Sequence, residues 1–257
     1  MKISKIILYN EPTVPEIQID KIKQFIIDTF QIKVEIKDNF FESLEDEIFE
    51  KIASTRIFDL KKQFKKHAPT QEEIQIEKEN QDVSGQDIMT LYDGFELQNI
   101  IAENIPNTDS TLHIIFTNKI TATFDNDDFR YHARALISSN PTIISTTGTI
   151  EAPAKPKQYY LDLMTNFSEE KIEEIGKKYK GEFLEYHDLR LNEIIEGYVL
   201  QAIMYYATGD AFCENKECRL FNAHWQKDLF YSQIENKKLC DKHQGNLNEL
   251  RNQVGMD

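Results

Sequence analysis

The chain has 257 residues, 40% of them hydrophobic with 16 Phe and 11 Tyr, which suits one large domain or one and a half and excludes a disordered protein. A net charge of -14 and a pI near 5.0 exclude nonspecific nucleic-acid or anionic-membrane binding, because both need a basic field. No stretch approaches the roughly 20 apolar residues of a membrane span, the N-terminal run MKISKIILYNEP is broken too early for a signal peptide, and an odd cysteine count in paired spacing fits a metal in a reducing compartment, with the cytoplasm as the expected location.

Residues 3–9 are apolar and β-branched and read as a first strand, closed by turn-like residues 10–15. In residues 15–30, Ile19, Ile22, Phe25, Ile26 and Phe30 share one helix face, and residues 33–36 alternate as a second strand. Strand, helix, strand opens an α/β sheet with a right-handed crossover. Residues 42–54 read as a further helix with Leu44, Ile48, Phe49 and Ile52 inward. The run TRIFDLKKQFKK gathers Lys61, Lys62, Lys65 and Lys66, read as a solvated helix face rather than an anion site. Thr70, with Glu72 and Glu73 behind it, caps a short helix, and the polar run onward to Gln86 is the expected loop excursion.

Residues 90–105 fit either a hairpin turning at Asp93 and Gly94 or a turn feeding a helix that ends before Pro106, and the second is preferred. Residues 112–117 read as a buried strand, with His113 a core or sheet-face histidine rather than a ligand. A short strand at 120–124 leads to Asp125, Asp127 and Asp128. That trio lacks the glycine and distal glutamate of a calcium loop, so it reads as a solvated turn. A strand at 142–145 precedes the linker-like APAKPK of 152–157, beyond which the strands stop. Residues 157–164 and 168–179 read as helices, the second capped by Ser168 with Glu169 and Glu170 in its first turn, and residues 245–254 as a closing polar helix. The expected class is α/β (α+β). A mixed-sheet half spans residues 1–155, and a helical half spans 156–257 with a zinc-binding loop at 209–245, the two packed as one unit.

The rest is organised around residues 188–243, which hold all three cysteines. Leu191, Ile194, Ile195, Tyr198, Val199, Ala202, Ile203 and Tyr206 recur at helical steps, with Asp188 as expected N-cap and Gly209 as C-terminal glycine. Four residues past that glycine begins a C-x4-C pair, Cys213 and Cys218. A C-x2-H pair, Cys240 and His243, follows after a long gap. Two tight turns can each aim two soft or borderline donors at one point, which is what a closed structural zinc shell needs. His224 competes with His243 for the fourth place and ranks below it. The competing reading is three reduced cysteines packed as small hydrophobes.

This stretch resembles the archaemetzincin family of zinc peptidases, in which a metzincin H-E-x-x-H-x-x-G-x-x-H helix runs straight into C-x4-C and then C-x2-C. Gly209 takes the place of the motif glycine, and Cys213 and Cys218 follow at the family's spacing. Leu220 stands where the family has methionine, Cys240 comes slightly late, and His243 replaces the last cysteine. The catalytic donors are gone: the helix histidines fall at Ala202 and Tyr206, the general base at Ile203 and the third histidine at Phe212. The resemblance implies a metzincin-like fold that keeps one structural zinc and has no catalytic one. It also implies a sheet edge strand along a substrate groove, and a role either in holding a peptide or protein without cleaving it or simply as a scaffold. Two other readings stand beside it. One is an active peptidase whose ligands are displaced to His187, Glu193, Glu196, His132 and His224. The other is an unrelated zinc-clipped interaction module.

Overall fold

The computed structural model describes residues 2–79, 89–106, 110–166 and 168–254. The loop expected through residue 86 lies in residues 80–88, outside the described residues. The first sheet holds β1 (Lys5–Tyr9), β2 (Lys33–Lys37), β5 (Thr111–Thr117), β9 (Thr142–Ser145) and β8 (Leu136–Ile137), in the order β2-β1-β5-β9-β8. The first four are parallel and β8 runs antiparallel on the edge. Helix α1 (Ile19–Phe30) makes the β1-to-β2 crossover and buries Ile22, Ile26 and Phe30. Every residue of β5 and β9 is buried. A parallel strand covered on both faces is a continuous apolar run, as LHIIFT is.

Alternation along β1 sends side chains to two cores. Ile6 and Leu8 join a cluster with α1, with α8 (Leu191–Thr208) and with Leu247 and Leu250 of α10 (Asp241–Val254). Ile7 and Tyr9 join the opposite cluster with Phe49 and Ile52 of α2 (Asp46–Ala53) and Leu97 and Ile101 of α4 (Gly94–Glu103). The expected mixed sheet is thus flanked by helices on both faces. The remaining strands, β3 (Arg56–Ile57), β4 (Leu91–Asp93), β6 (Ile120–Asp125) and β7 (Arg130–Arg134), form a second sheet in the order β3-β4-β6-β7. The chain crosses from β7 to β8 at Ala135 and so passes from one sheet to the other.

Several local expectations hold in detail. Asp93 caps α4, accepting from the N–H groups of Phe95 and Glu96 at 3.1 Å, so residues 90–105 are a turn feeding a helix after a short strand. Thr70 and Glu73 form a reciprocal capping box (2.7 and 3.2 Å) at the start of α3 (Gln71–Glu79). Helices α6 (Lys157–Thr165) and α7 (Glu169–Lys178) follow the linker, with Ser168 capping α7. Among the described residues beyond 157 no strand forms, only isolated bridges.

Others need correction. The lysine cluster lies on an irregular exposed run, not on a helix face, since α2 ends at Ala53 and β3 turns the chain outward. Asp188 is not the N-cap of α8, which is Arg190. The Asp188 carboxylate instead accepts the Arg190 backbone N–H (2.9 Å) and its guanidinium, one step before the helix. Helix α10 starts at Asp241 rather than near Gly245. Helix α5 (Thr146–Glu151) and strands β7 and β8 were not anticipated.

Candidate metal centre

Helix α8 is buried on most of its circumference, as an apolar helix without a polar face must be. It ends at Gly209, whose φ of 80° and N–H bond to the Tyr205 carbonyl (2.7 Å) turn the chain sharply. Asn215 then organises a tight turn: its carbonyl accepts the Cys218 N–H (3.0 Å) and its side chain accepts the Glu217 N–H (3.0 Å). The Cys213 N–H reaches back to the Leu220 carbonyl (2.7 Å), so both thiols of the C-x4-C pair face one point. The second pair sits at the start of α10. The Cys240 carbonyl accepts the Gln244 N–H (2.8 Å), and His243 stands three residues on, over the same side of the first turn.

All four sulfur and nitrogen donors lie within 4.8 Å of one another. Cys213 Sγ is 4.0 Å from Cys240 Sγ, and His243 Nδ1 is 3.5 Å from Cys218 Sγ and 3.1 Å from Cys240 Sγ. A tetrahedral zinc shell with Zn–S of ~2.3 Å and Zn–N of ~2.0 Å has donor–donor edges of roughly 3.5–3.8 Å, which these separations bracket. Cys218 and His243 are buried and Cys213 and Cys240 half-buried. His224 is exposed and stays outside the group, so the fourth donor brought to the cysteines is His243.

Electrostatics distinguish the thiols. Burial chiefly pushes the Cys218 thiol up to about 12. Burial also acts against ionising Cys240, yet the His243 N–H at the helix N-terminus and the neighbouring thiols outweigh it and hold Cys240 below its ordinary value. Burial and the Lys242 ammonium lower His243, favouring the neutral imidazole that binds metals. Beyond the donors, Arg219 anchors the loop. Its guanidinium lies over the Phe25 ring at 5.0 Å and donates to the Glu193 carbonyl and to Glu196, each at 3.3 Å.

The positions considered for a displaced catalytic site do not converge. Glu196 pairs with Arg219, Glu193 with Lys237, His187 with Glu16 (3.0 Å) and His132 with Asp128 (2.9 Å). Ala202, Ile203 and Tyr206 are buried and Phe212 is 40% exposed. His132 does join Asp125 and Asp128 in a partly exposed group at the end of the β6–β7 hairpin. The aspartates alone suggest only a turn; it is β7 that brings His132, named above as a possible displaced ligand, back across it.

Next to the metal loop lies a cleft of about 580 Å³. Its walls include Arg134, Leu136 and Ile137 along the sheet edge, Tyr198 and Tyr205 of α8, and Phe212. Asp210 also borders it, while its carboxylate pairs with Lys242 (2.6 Å) and stands 3.9 Å from His243 Nε2.

The sequence matches, over residues 2–250, a family described as "Probable metallopeptidase family (DUF6775)". Among solved structures it is similar to a zinc-dependent peptidase from Methanocorpusculum labreanum (strain Z), with 12% identity, a TM-score of 0.47, and coverage of 95% of this chain and 100% of that one. No curated protein matches.

Proposed function

The chain belongs to the probable metallopeptidase family DUF6775, and from that premise we propose that it is an archaemetzincin-like, catalytically silent member that holds one structural zinc and binds peptide in the adjoining cleft. Cys213, Cys218, Cys240 and His243 would hold the metal, which supplies a cross-link between the loop after α8 and the start of α10. The observation that carries this reading is the closed donor set: four protein donors at tetrahedral spacing leave no position for water. A hydrolytic zinc needs such an open position, and on α8 the places where the family resemblance puts its ligands hold Ala202, Ile203 and Tyr206.

The cleft supports the binding half of the reading. The two-residue edge strand β8 is paired with β9 on one side and lines the cleft, the kind of sheet edge to which an extended chain adds. Phe95, Tyr205 and Phe212 are 57%, 37% and 40% exposed around it, apolar contacts for side chains of such a peptide. Elemental analysis of purified protein tests the metal assignment. One zinc per chain, lost in Cys218→Ser, is expected, whereas a second tightly held zinc that survives Cys218→Ser would overturn the silent-member reading.

A further inference from the structure

The order of the first sheet reverses between β1 and β5: β1 pairs with β2 on one side, and β5 carries the sheet on to β9 on the other. In open parallel sheets, ligands bind in the crevice outside the carboxyl ends of the strands at such a point. Here the chain's own side chains fill that crevice. Glu11, just past β1, accepts the N–H of Asn118, just past β5, at 3.2 Å. The next residue, Lys119, is only 7% exposed and turns its ammonium to Glu77 of α3.

Glu77 is the one buried residue of α3, at 1% exposure. Its Oε1 accepts from Arg56 Nε (2.9 Å) and Nη2 (2.6 Å) and from the Tyr92 hydroxyl (2.9 Å), and its Oε2 accepts from Lys119 Nζ. The three donor residues belong to the frame: Arg56 to β3, Tyr92 to β4 and Lys119 to the β5–β6 turn. Lys119 is also held over the rings of Phe41 (5.4 Å) and Tyr92 (5.2 Å), independently of α3. The helix itself contributes little apolar burial. Ile76 is 49% exposed, Ile74 packs partly buried against the second core, and the polar contacts besides Glu77 include the capping box, an Arg56 Nη2 bond to the Glu73 carbonyl (3.3 Å) and the Lys78–Asp46, Arg56–Glu73 and His67–Glu73 pairs.

Two buried cations and a phenol donor, pre-placed by three frame elements, have the form of a receptor for a carboxylate. Without an anion they would be buried charges lacking a partner, which is strongly unfavourable. We propose that Arg56, Tyr92 and Lys119 form a carboxylate-binding socket at the switch-point crevice, and that α3 is a detachable latch that occupies it with Glu77 as an internal ligand. The socket does not depend on the metal centre.

Acetate at neutral pH is the probe, added to the full chain carrying Glu77→Ala. The melting temperature of this variant should rise saturably with sodium acetate over sodium chloride of equal ionic strength. Wild type, whose socket is filled, should show no such difference, and adding Arg56→Ala should abolish it. Identical acetate and chloride curves for Glu77→Ala, or an equal acetate effect on wild type, would overturn the proposal. Should Glu77→Ala fail to fold in either salt, Glu77→Gln keeps the shape and removes the charge. Amide hydrogen exchange across α3 should then speed up at least ~tenfold relative to wild type while that of α8 is unchanged, and unchanged exchange in α3 would equally sink the idea.

Discussion

His243 turns Nδ1 to the sulfurs and leaves Nε2 buried, with Asp210 Oδ2 3.9 Å away. A metal-bound imidazole is oriented by what its other nitrogen donates to, and such partners are worth roughly 10–100-fold in metal affinity. Asp210→Asn is therefore expected to weaken zinc binding by that order in competition with a chromogenic chelator, with the far-UV spectrum unchanged; equal affinity would show that Asp210 serves only Lys242. The convergence of Cys213, Cys218, Cys240 and His243 was legible in the sequence because each pair comes from one tight turn. Asp210 was not, because its role depends on α10 folding back beside Gly209. Gly197 carries a second constraint invisible in the sequence. A Cβ there would lie 1.7 Å from Gln233 Oε1, in a side chain fixed by its 2.7 Å bond to the Arg219 carbonyl. Gly197→Ala should destabilise by about 1–3 kcal/mol in urea unfolding, whereas Gly176→Ala, with nothing within 4 Å, should be neutral or stabilising by up to ~1 kcal/mol.

At the scale of elements, what was legible is what local chemistry decides. Caps at Thr70, Ser168 and Gly209 act within a few residues of themselves, and the apolar run of β5 announces a strand buried on both faces. Helix α5 was missed because TTGTIE is β-branched and resists helix by propensity. Context overrides it: the Ser145 hydroxyl accepts the Gly148 N–H at 2.8 Å, and Gly148 lets the helix sit against the Arg134 carbonyl, which a Cβ would approach to 2.3 Å. Strand β7 was not legible because RYHAR is mostly polar and only Tyr131 is buried, and β8 because two residues are too few to show a period. Helix α3 has the opposite character, well capped yet poorly buried, and its tether responds to acid. Burial alone would raise the Glu77 carboxyl, but Lys119 and Arg56 outweigh it and hold it below its ordinary 4.5. A carboxyl depressed in the folded state contributes stability that is fully present above the unfolded value and is lost as pH falls through the folded one. Acidification below 4.5 should thus loosen α3 ahead of α8 in hydrogen exchange, and Glu77→Gln should remove that difference in pH response.

For the whole molecule, the proposed structural zinc would decide how much of the chain past Gly209 is ordered. The segment between the two donor pairs contributes Leu229, 2% exposed, to the principal core, and Phe230 packs against it. Trp225 caps α9 (Gln226–Phe230) and bridges to Ala154. A zinc held by the two pairs would close the loop between Cys218 and Cys240 and so lower the cost of ordering this segment against the core. Removing the metal with a strong chelator is expected to flatten the near-UV signal of Trp225, the sole tryptophan, and to leave the strand contribution of the two sheets in the far-UV spectrum. The untreated, metal-loaded protein should show no turnover of unstructured peptides while retaining the ability to bind them. Binding should fall in Tyr205→Ala, which removes a 37%-exposed ring from the cleft wall and should alter stability by only about 0.5 kcal/mol. Binding with no hydrolysis would fit the proposed silent cleft, whose α8 wall is formed by Tyr198 and Tyr205; hydrolysis that vanished with the chelator would instead place a working metal in it.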